Sequence, residues 1–513
     1  MRTIRLLPAF LTVGAWTFAS RVLGFARDIL IAALLGAGPV AEAFLVAFSL
    51  PNLFRRFFAE GALNLAFVPL FSKKLEAGGG AERFARDALS GLAGVLVVLT
   101  LLAQLLMPWM VLAMAAGFHA DERLELATLF GRVAFPYILF ISVAALISGA
   151  LNAMGHFWVA AAAPVLLNIC LIAAMLLAVA TGADIGWALV GAVPVAGIAQ
   201  AALVWMAAER LGLRLRLSWP RMTPELRRLA IIAAPAALTG GVVQINLLVG
   251  RQVASFTEGA IVWLSLADRL YQLPLGMVGI AMGIVLLPDL SRRLQAGDAP
   301  GGAVQINRAI EFSALLILPA TAALIVLAEP LVSVLFGHGV FTDADVLATA
   351  AAVAIYGAGL PAFVLQKIFS PVFFAREDTR TPFRYALVSM VANAVIAIGL
   401  APVVGYLAAA IGTTVSGWIM LALLWWGARR IEGAVTFDDR LRLRLPRILF
   451  AAVVMAAACT LAAAPLAGAL DLAGWRYLAL AALVLTGIGT FGASAVALGV
   501  LRPDEIRSAL GRG

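Results

Sequence analysis

The chain has 513 residues, of which 63% are hydrophobic and only 13% charged, and its formal net charge is +9. A soluble protein of this length carries about a quarter charged residues, so the composition excludes an ordinary soluble domain. The apolar runs are about 20 residues long, which favours transmembrane helices over the short alternating strands of a β-barrel.

In chain order, these runs predict an all-α polytopic membrane protein with 14 transmembrane helices. The predicted spans are 9–36, 42–72, 85–115, 124–151, 158–181, 186–208, 225–255, 260–290, 308–336, 344–374, 383–404, 406–428, 446–468 and 475–500. Several exceed the roughly 20 residues that cross a bilayer, so we expect tilts or kinks, for example at Pro136. The first span is not a cleaved signal peptide, because charged residues interrupt its middle.

The lysines and arginines predict the orientation of the chain. If the N-terminus is cytoplasmic, 27 of the 37 basic residues fall in the tails and loops on the cytoplasmic side. Only Arg123 and Arg476 fall in loops on the opposite side, and the other eight lie inside predicted spans. This asymmetry is a strong positive-inside signal and predicts that both termini are cytoplasmic. Because the charge follows membrane topology, we expect no nucleic-acid partner.

An internal repeat predicts two lobes. The segment FVPLFSKKLEAG at 67–78 is similar to LLPDLSRRLQAG at 286–297, at an offset of 219 residues. A second similarity pairs Pro136 with Pro361 and Asn168 with Asn393, at an offset of 225. Both copies end on the cytoplasmic side, so a parallel repeat with a pseudo-two-fold arrangement of six-helix lobes is predicted.

The repeat also predicts the domain boundaries. The N-terminal lobe covers 1–210 and the C-terminal lobe covers 225–430. Between them, a basic linker that contains Pro220 and Pro224 covers 211–224. Residues 431–513 lie outside the repeat and form an additional helix pair with a cytoplasmic tail.

Charged residues inside the first two spans are the most informative feature of the sequence. The first span contains SRVLGFARD at 20–28, and the second contains LPNLFRRFFAEG at 50–61. One arginine at the bilayer centre costs about 2.5–3.5 kcal/mol on insertion scales, so such residues usually have a function. Two lobes around a central cavity are typical of alternating-access transporters, and the cavity walls would carry Arg21, Arg27, Asp28, Arg55, Arg56 and Glu60 from the first lobe and Arg251, Asp268 and Arg269 from the second.

The charge balance favours an anionic cargo. Eight basic residues lie at membrane depth against four acidic ones, which leaves a net charge of +4. Arginine suits phosphate, because its planar fork binds two oxygens at once. The alternative interpretation is structural ion pairing, as in Arg27–Asp28 or Asp268–Arg269, with Arg132 snorkelling to the interface. Whether Arg251 and Lys367 face the cavity stays open.

Motifs for other chemistry are absent from the sequence. It has no GxxxxGK[ST] motif, so it has no nucleotide motor of its own. His119, His156 and His338 are scattered without metal-ligand spacing, and the two cysteines offer no disulfide framework. We therefore expect neither an enzyme nor a cofactor-binding protein.

At the charged motifs the sequence resembles the MurJ/MviN lipid II flippases of bacteria, in the multidrug/oligosaccharidyl-lipid/polysaccharide exporter superfamily. The motifs are SRVLGFARD at 20–28, LPNLFRRFFAEGALNLAFVP at 50–69, ADRLYQLPLG at 267–276 and REDTRTPF at 376–383. The resemblance implies fourteen helices, arginines at 21, 27, 55 and 269 that line a central cavity, and acidic partners at 28, 42, 60 and 268. It also implies a C-terminal helix pair that helps to form a groove for the polyprenyl tail.

The implied function is transfer of lipid-linked peptidoglycan precursor to the periplasmic leaflet of the bacterial inner membrane by alternating access. Lipid II and membrane lipids would be the partners, together with a possible contact to the cell-wall synthesis machinery. Transport could be coupled to membrane potential or to an ion. The cores of spans 7 and 11 lack an acidic residue, so a sodium site like that of some relatives is not expected.

Four other interpretations stay open. A flippase for another polyprenyl-diphosphate-linked oligosaccharide would need a similar cavity. A drug or cation antiporter of the same superfamily would favour an acidic cavity, which the net charge opposes. A membrane-embedded glycosyltransferase or a non-transporting scaffold belongs to a different class, and the short outer loops argue against the enzyme.

Overall fold

The protein is described by a computed structural model over residues 6–55, 64–431, 435–472 and 474–501. Within these ranges every regular element is helical. The helices are α1 (Leu6–Leu35), α2 (Pro39–Arg55), α3 (Asn64–Glu76), α4 (Ala81–Met114), α5 (Glu122–Ala134), α6 (Tyr137–Ala153), α7 (Phe157–Thr181), α8 (Ile185–Arg210), α9 (Pro224–Ala254), α10 (Ala260–Gln295), α11 (Ala299–Val326), α12 (Ala328–Phe336), α13 (Asp343–Phe374), α14 (Arg380–Val404), α15 (Leu407–Arg429), α16 (Asp439–Asp471) and α17 (Arg476–Ala497). A short 3-10 helix, Ala116–Ala120, connects α4 to α5.

Each predicted span coincides with one helix or with a pair of consecutive helices. The span predicted at 124–151 is broken into α5 and α6, which are bent by 41° relative to each other. Pro136 lies at this break, and its ring and missing N–H prevent the helix from continuing. The prediction of an all-helical, multi-pass membrane protein is confirmed.

The number of membrane spans follows from the length and hydropathy of the helices. Among the described residues nine helices are long and apolar enough to cross a membrane, or ten if the bent α5–α6 pair crosses as one. The remaining predicted spans fall on α1, on α2 with α3, on α9 and on α10, and residues 56–63, between α2 and α3, lie outside the described residues. The count of fourteen therefore stays a prediction.

The outward surface of the helices fits lipid rather than water. On α14, Val388, Val391, Val395 and Ile398 are all exposed and share one helical face, because they follow at spacings of three and four residues. A continuous apolar stripe of this kind would cause aggregation in water. In a bilayer the same stripe contacts acyl chains without cost.

The chain forms two compact units, Met1–Val262 and Trp263–Gly513. In the first unit α7 packs against α1 and α8, α2 packs against α5, and α9 packs against α3 and α4. In the second unit α13 packs against α11 and α15, and the C-terminal pair of α16 and α17 is attached mainly through α16 to α11. The lobe boundaries derived from the repeat stay a prediction.

Candidate functional site

Arg27 and Asp28 form a buried ion pair on α1, and each residue is only 9% exposed. Adjacent residues on a helix point about 100° apart, so a short side chain at 27 could not reach position 28. The long arginine side chain folds back instead, and its Nε and Nη2 donate to Asp28 Oδ1 at 3.0 and 2.7 Å. The first charged motif therefore contains a cation whose charge is already compensated inside the protein.

Asn168 on α7 holds this pair in place. Its Oδ1 accepts a hydrogen bond from Arg27 Nη1 at 3.1 Å, and its Nδ2 donates to the carbonyl oxygen of Ser20 at 3.0 Å. Gly24 lies between these two contacts on α1, and a Cβ atom there would already be 3.6 Å from the Asn168 amide. That distance is an ordinary van der Waals contact, so α1 and α7 already pack closely at Gly24.

Asn168 was not among the predicted site residues, although the repeat had singled it out through its partner Asn393. A buried amide in an apolar run needs hydrogen-bond partners, so Asn168 could have been predicted to contact a polar group. The sequence could not show that the partner is Arg27, because the two residues are 141 positions apart.

Replacement of Asn168 by leucine is expected to lower the free energy of unfolding by about 1–3 kcal/mol. The reason is that Arg27 Nη1 loses its buried acceptor. Thermal unfolding of the purified protein would measure the change. Asn168→Asp retains an acceptor for Arg27 and should recover part of the loss. A native melting temperature for the leucine variant would contradict a stabilising role for this contact.

The other predicted binding residues occupy different environments. Arg21 is exposed on α1, Arg55 is the last residue of α2 and is half-buried, and Arg269 is half-buried on α10. Asp268, next to Arg269, accepts a hydrogen bond from Gln272. Arg269 and Asp268 belong to the second compact unit, whereas the others belong to the first.

Several further predictions concern basic residues at membrane depth. Arg56 and Glu60, two of the charged residues singled out in the sequence, lie outside the described residues. Arg132 is exposed on α5 and donates from Nε to the carbonyl oxygen of Gln104 at 3.2 Å. Lys367 is exposed and Arg251 is half-buried.

Glu42, predicted as a supporting charge, is fully buried at 0% exposure and is paired with Arg123. Arg123 Nη1 donates to Glu42 Oε2 at 2.7 Å, and its Nε donates to Asp121 Oδ2 at 2.8 Å. The guanidinium also lies over the ring of Phe118, 4.5 Å from the centroid. Hydrogen bonding to Arg123 lowers the pKa of Asp121 below its usual value.

Arg123 was counted in the sequence as an outer-loop residue, yet it is buried in the first turn of α5. The sequence signal that could have found it is Asp121, which caps α5 and brings the arginine back toward the protein. The charge of Glu42 is therefore compensated by Arg123, which was not among the eight basic residues counted at membrane depth.

The second oxygen of Glu42 accepts from the backbone. The N–H of Ile261 donates to Glu42 Oε1 at 3.1 Å, and Ile261 lies in the first turn of α10, where backbone N–H groups have no intrahelical partner. The two residues are 219 positions apart, which equals the offset of the internal repeat. The first turns of two repeat-related helices, α2 and α10, therefore meet at one carboxylate.

A second buried acidic residue, Glu311 on α11, anchors the C-terminal helix pair. Its Oε2 accepts from Arg308 and from Arg440 Nε, both at 3.0 Å, and its Oε1 accepts from Arg440 Nη2 at 3.0 Å and from Arg444. Arg308 also donates to Asp438 at 2.6 Å. Sequence analysis had treated Arg308, Arg440 and Arg444 only as positive-inside charges.

Replacement of Glu311 by glutamine is expected to lower the free energy of unfolding by about 3–5 kcal/mol, because Arg444 stays buried without a negative charge. Limited proteolysis should then cleave the segment before α16 faster. Thermal unfolding and protease digestion would measure both effects. The control is Asp289→Asn, which removes more exposed ion pairs to Arg292 and Arg293 and should cost at most about 1 kcal/mol. Equal losses in the two variants would contradict the anchoring role.

A metal site is not evident in the described part of the chain. Within it, no group of three or more histidine, cysteine, aspartate or glutamate side chains lies close enough together to hold a metal ion. The polar groups of the candidate site are mainly guanidinium donors and carboxylate partners. Such a set can bind a multivalent anion once the internal carboxylate is displaced.

Comparisons with known proteins agree on one family. Residues 31–472 match the family described as Lipid II flippase MurJ. The chain is 44% identical over 523 residues to the "Probable lipid II flippase MurJ" of Rhizobium meliloti (strain 1021), covering 99% of this chain and 97% of the relative. It is 34% identical over 435 residues to the "Lipid II flippase MurJ" of Burkholderia cenocepacia, covering 83% and 84% of the two chains.

Solved structures show the same fold. The structure titled "Lipid II flippase MurJ, inward closed conformation" is similar with a TM-score of 0.80 at 24% identity, covering 94% of this chain and 98% of the other. An inward-facing multidrug resistance transporter of the MATE family is similar with a TM-score of 0.66 at 16% identity, covering 81% and 95%. At these identities the similarity establishes the fold alone.

Proposed function

Because the chain belongs to the MurJ family of lipid II flippases, we propose that it transfers lipid II between the leaflets of the bacterial inner membrane by alternating access. The direction is from the cytoplasmic leaflet to the periplasmic leaflet, with both termini of the protein in the cytoplasm. The observation that carries the proposal, beyond family membership, is the buried Arg27–Asp28 pair in the middle of a membrane helix.

In this mechanism Arg21, Arg27, Arg55 and Arg269 bind the diphosphate and the rest of the anionic head group. Asp28 compensates Arg27 while no cargo is bound, because a buried cation without a partner is strongly unfavourable. An arriving diphosphate takes over the two donors that Arg27 directs at Asp28 Oδ1. The planar guanidinium fork suits this exchange, since it binds carboxylate and phosphate oxygens with the same geometry.

The polyprenyl tail stays in lipid or in a groove on α16 and α17. The support for this part is that the helix pair lies outside the internal repeat and is attached through α16 to α11. A tail held outside the polar site keeps the isoprenoid carbons in an apolar environment during the transfer. Only the diphosphate, sugars and peptide of the head group then have to cross the bilayer through the polar site.

Membrane potential can drive the return of the empty carrier. Moving one elementary charge through 100 mV changes its free energy by about 2.3 kcal/mol. A net positive empty site is therefore pulled toward the cytoplasmic side, whereas a site neutralised by diphosphate is not. No resident cofactor or coupling ion is needed in this scheme.

Reconstitution into vesicles tests the proposal. We expect vesicles with the purified protein to move labelled lipid II between leaflets faster than protein-free vesicles. Transport of a cationic drug but not of lipid II would favour the antiporter alternative. Transport of other polyprenyl-diphosphate-linked oligosaccharides in preference to lipid II would reassign the cargo.

A further inference from the structure

The first turn of α17 is attached to the turn between α12 and α13 through a histidine. The Nδ1 atom of His338 is 2.6 Å from Arg476 Nη1, and its Nε2 atom is 3.3 Å from the hydroxyl of Tyr477. Arg476 Nη1 also donates to the carbonyl oxygen of Gly337 at 3.4 Å. In the sequence, Arg476 was only counted as a charge in an outer loop, and His338 and Tyr477 had no assigned role.

The chemistry of these contacts defines the protonation state of His338. A guanidinium has donors only, so Nδ1 must carry a lone pair to accept from Arg476. The single proton of the neutral ring then lies on Nε2, where it can be donated to Tyr477. A second proton at Nδ1 would place a donor against a donor and a positive charge against a positive charge at the same short distance.

We propose that His338 is a proton-operated latch, which releases the beginning of α17 from the α12–α13 turn when the surrounding solution becomes acidic. Histidine side chains change their charge within about pH 5–8, so the response falls in a range that bacterial surroundings reach. In the predicted orientation this end of α17 faces the outside of the cell.

The first turn of α17 also contains the buried Ala479, which is 5% exposed. Tyr477 and Leu478 are 57% and 62% exposed, so they bury little apolar surface. Farther along the pair, Leu483 packs with Cys459 and Leu327 in an apolar cluster. The opposite end is anchored by Glu311 and its arginines, and such carboxylate–guanidinium contacts do not titrate near neutral pH. Release should therefore be confined to the end that begins at Arg476.

The charged group in direct contact with His338 is the Arg476 guanidinium. Among the described residues the imidazole makes its side-chain contacts with Arg476 and Tyr477 only. The charged residues in the first turns of α12 and α13 and in the last turn of α16 are Glu329, Asp343, Asp345 and Asp471. All four are acidic, and Asp345 is engaged by Thr342 and Trp263.

Hydrogen–deuterium exchange on the full-length protein, compared at pH 7.5 and pH 5.5 after correction for intrinsic rates, tests the latch. We expect the amides of the first two turns of α17 to exchange about tenfold faster at pH 5.5, as the loss of a charge-assisted hydrogen bond implies. The amides around Glu311 should show no such change.

Variants separate the latch from a general effect of acid. His338→Gln retains an uncharged acceptor and should keep slow exchange at both pH values, whereas His338→Lys is always charged and should exchange fast at both. His119→Gln, at an exposed histidine of the 3-10 helix Ala116–Ala120, should retain the full native response. The proposal is overturned if the native protein shows no pH response at α17, or if the response persists in His338→Gln.

Discussion

Arg27→Ala is expected to reduce lipid II transport by about 10- to 150-fold, the loss that corresponds to one buried charge-assisted contact of 1.5–3 kcal/mol. Arg27 is the best placed of the four candidate arginines, because it is buried on α1 and two of its donors already hold a carboxylate. A diphosphate would use the same donors. Transport of labelled lipid II into vesicles, at equal amounts of reconstituted protein, would measure the loss.

Arg27→Ala also leaves Asp28 buried without its cation, so the variant can lose transport through misfolding. Arg27→Leu combined with Asp28→Leu removes both charges, and a buried pair replaced by apolar groups is often neutral for stability. We expect this double variant to lose only about 1–3 kcal/mol, from the Arg27–Asn168 contact, and still to transport poorly. Arg132→Ala, at an exposed arginine of α5, is the matched control and should transport normally. Native transport by the double variant would refute the head-group role of Arg27.

The second large effect is expected at the buried pair of Glu42 and Arg123. Glu42→Ala should lower the free energy of unfolding by about 3–5 kcal/mol, because Arg123 loses a buried partner and the first turn of α10 loses an acceptor. Thermal or denaturant unfolding of the purified protein would measure this loss. A double-mutant cycle with Arg123→Met should give a coupling energy well above the roughly 0.3–0.5 kcal/mol by which independent mutations deviate from additivity.

The first unit provides a matched control for this prediction. Lys74 and Glu225 form an ion pair at 2.6 Å, but their side chains are 29% and 47% exposed. Solvent screens such a pair, so Lys74→Met should cost at most about 1 kcal/mol. The two distances are nearly equal, and burial is the main difference between the pairs. Similar losses for Glu42→Ala and Lys74→Met would show that burial is not what makes the Glu42 pair important.

Much of the fold could be predicted because the signals are local. Every predicted span coincides with a helix or a helix pair, since about 20 consecutive apolar residues suffice to specify a membrane helix. The break at Pro136 was also predictable, because it follows from the covalent structure of one residue. Family membership follows from short charged motifs, each of which lies within one segment of the chain.

The candidate site could be predicted only in part. The sequence identified Arg27 and Asp28, which are neighbours in the chain and form a pair in the structure. It identified Glu42 as an important acidic residue but not its partner, and it placed Arg123 in a solvent-exposed loop. It assigned no contact to Asn168, and Glu311 was not singled out at all.

The sequence by itself determined the membrane class and the helices, because hydropathy is a property of each segment alone. Only the tertiary structure decided which charge compensates which. The pairs Glu42–Arg123, Glu311–Arg444 and Arg27–Asn168 join residues 81, 133 and 141 positions apart. Their contacts depend on which helix faces meet, and helical spacing within one segment carries no information about the neighbouring helix.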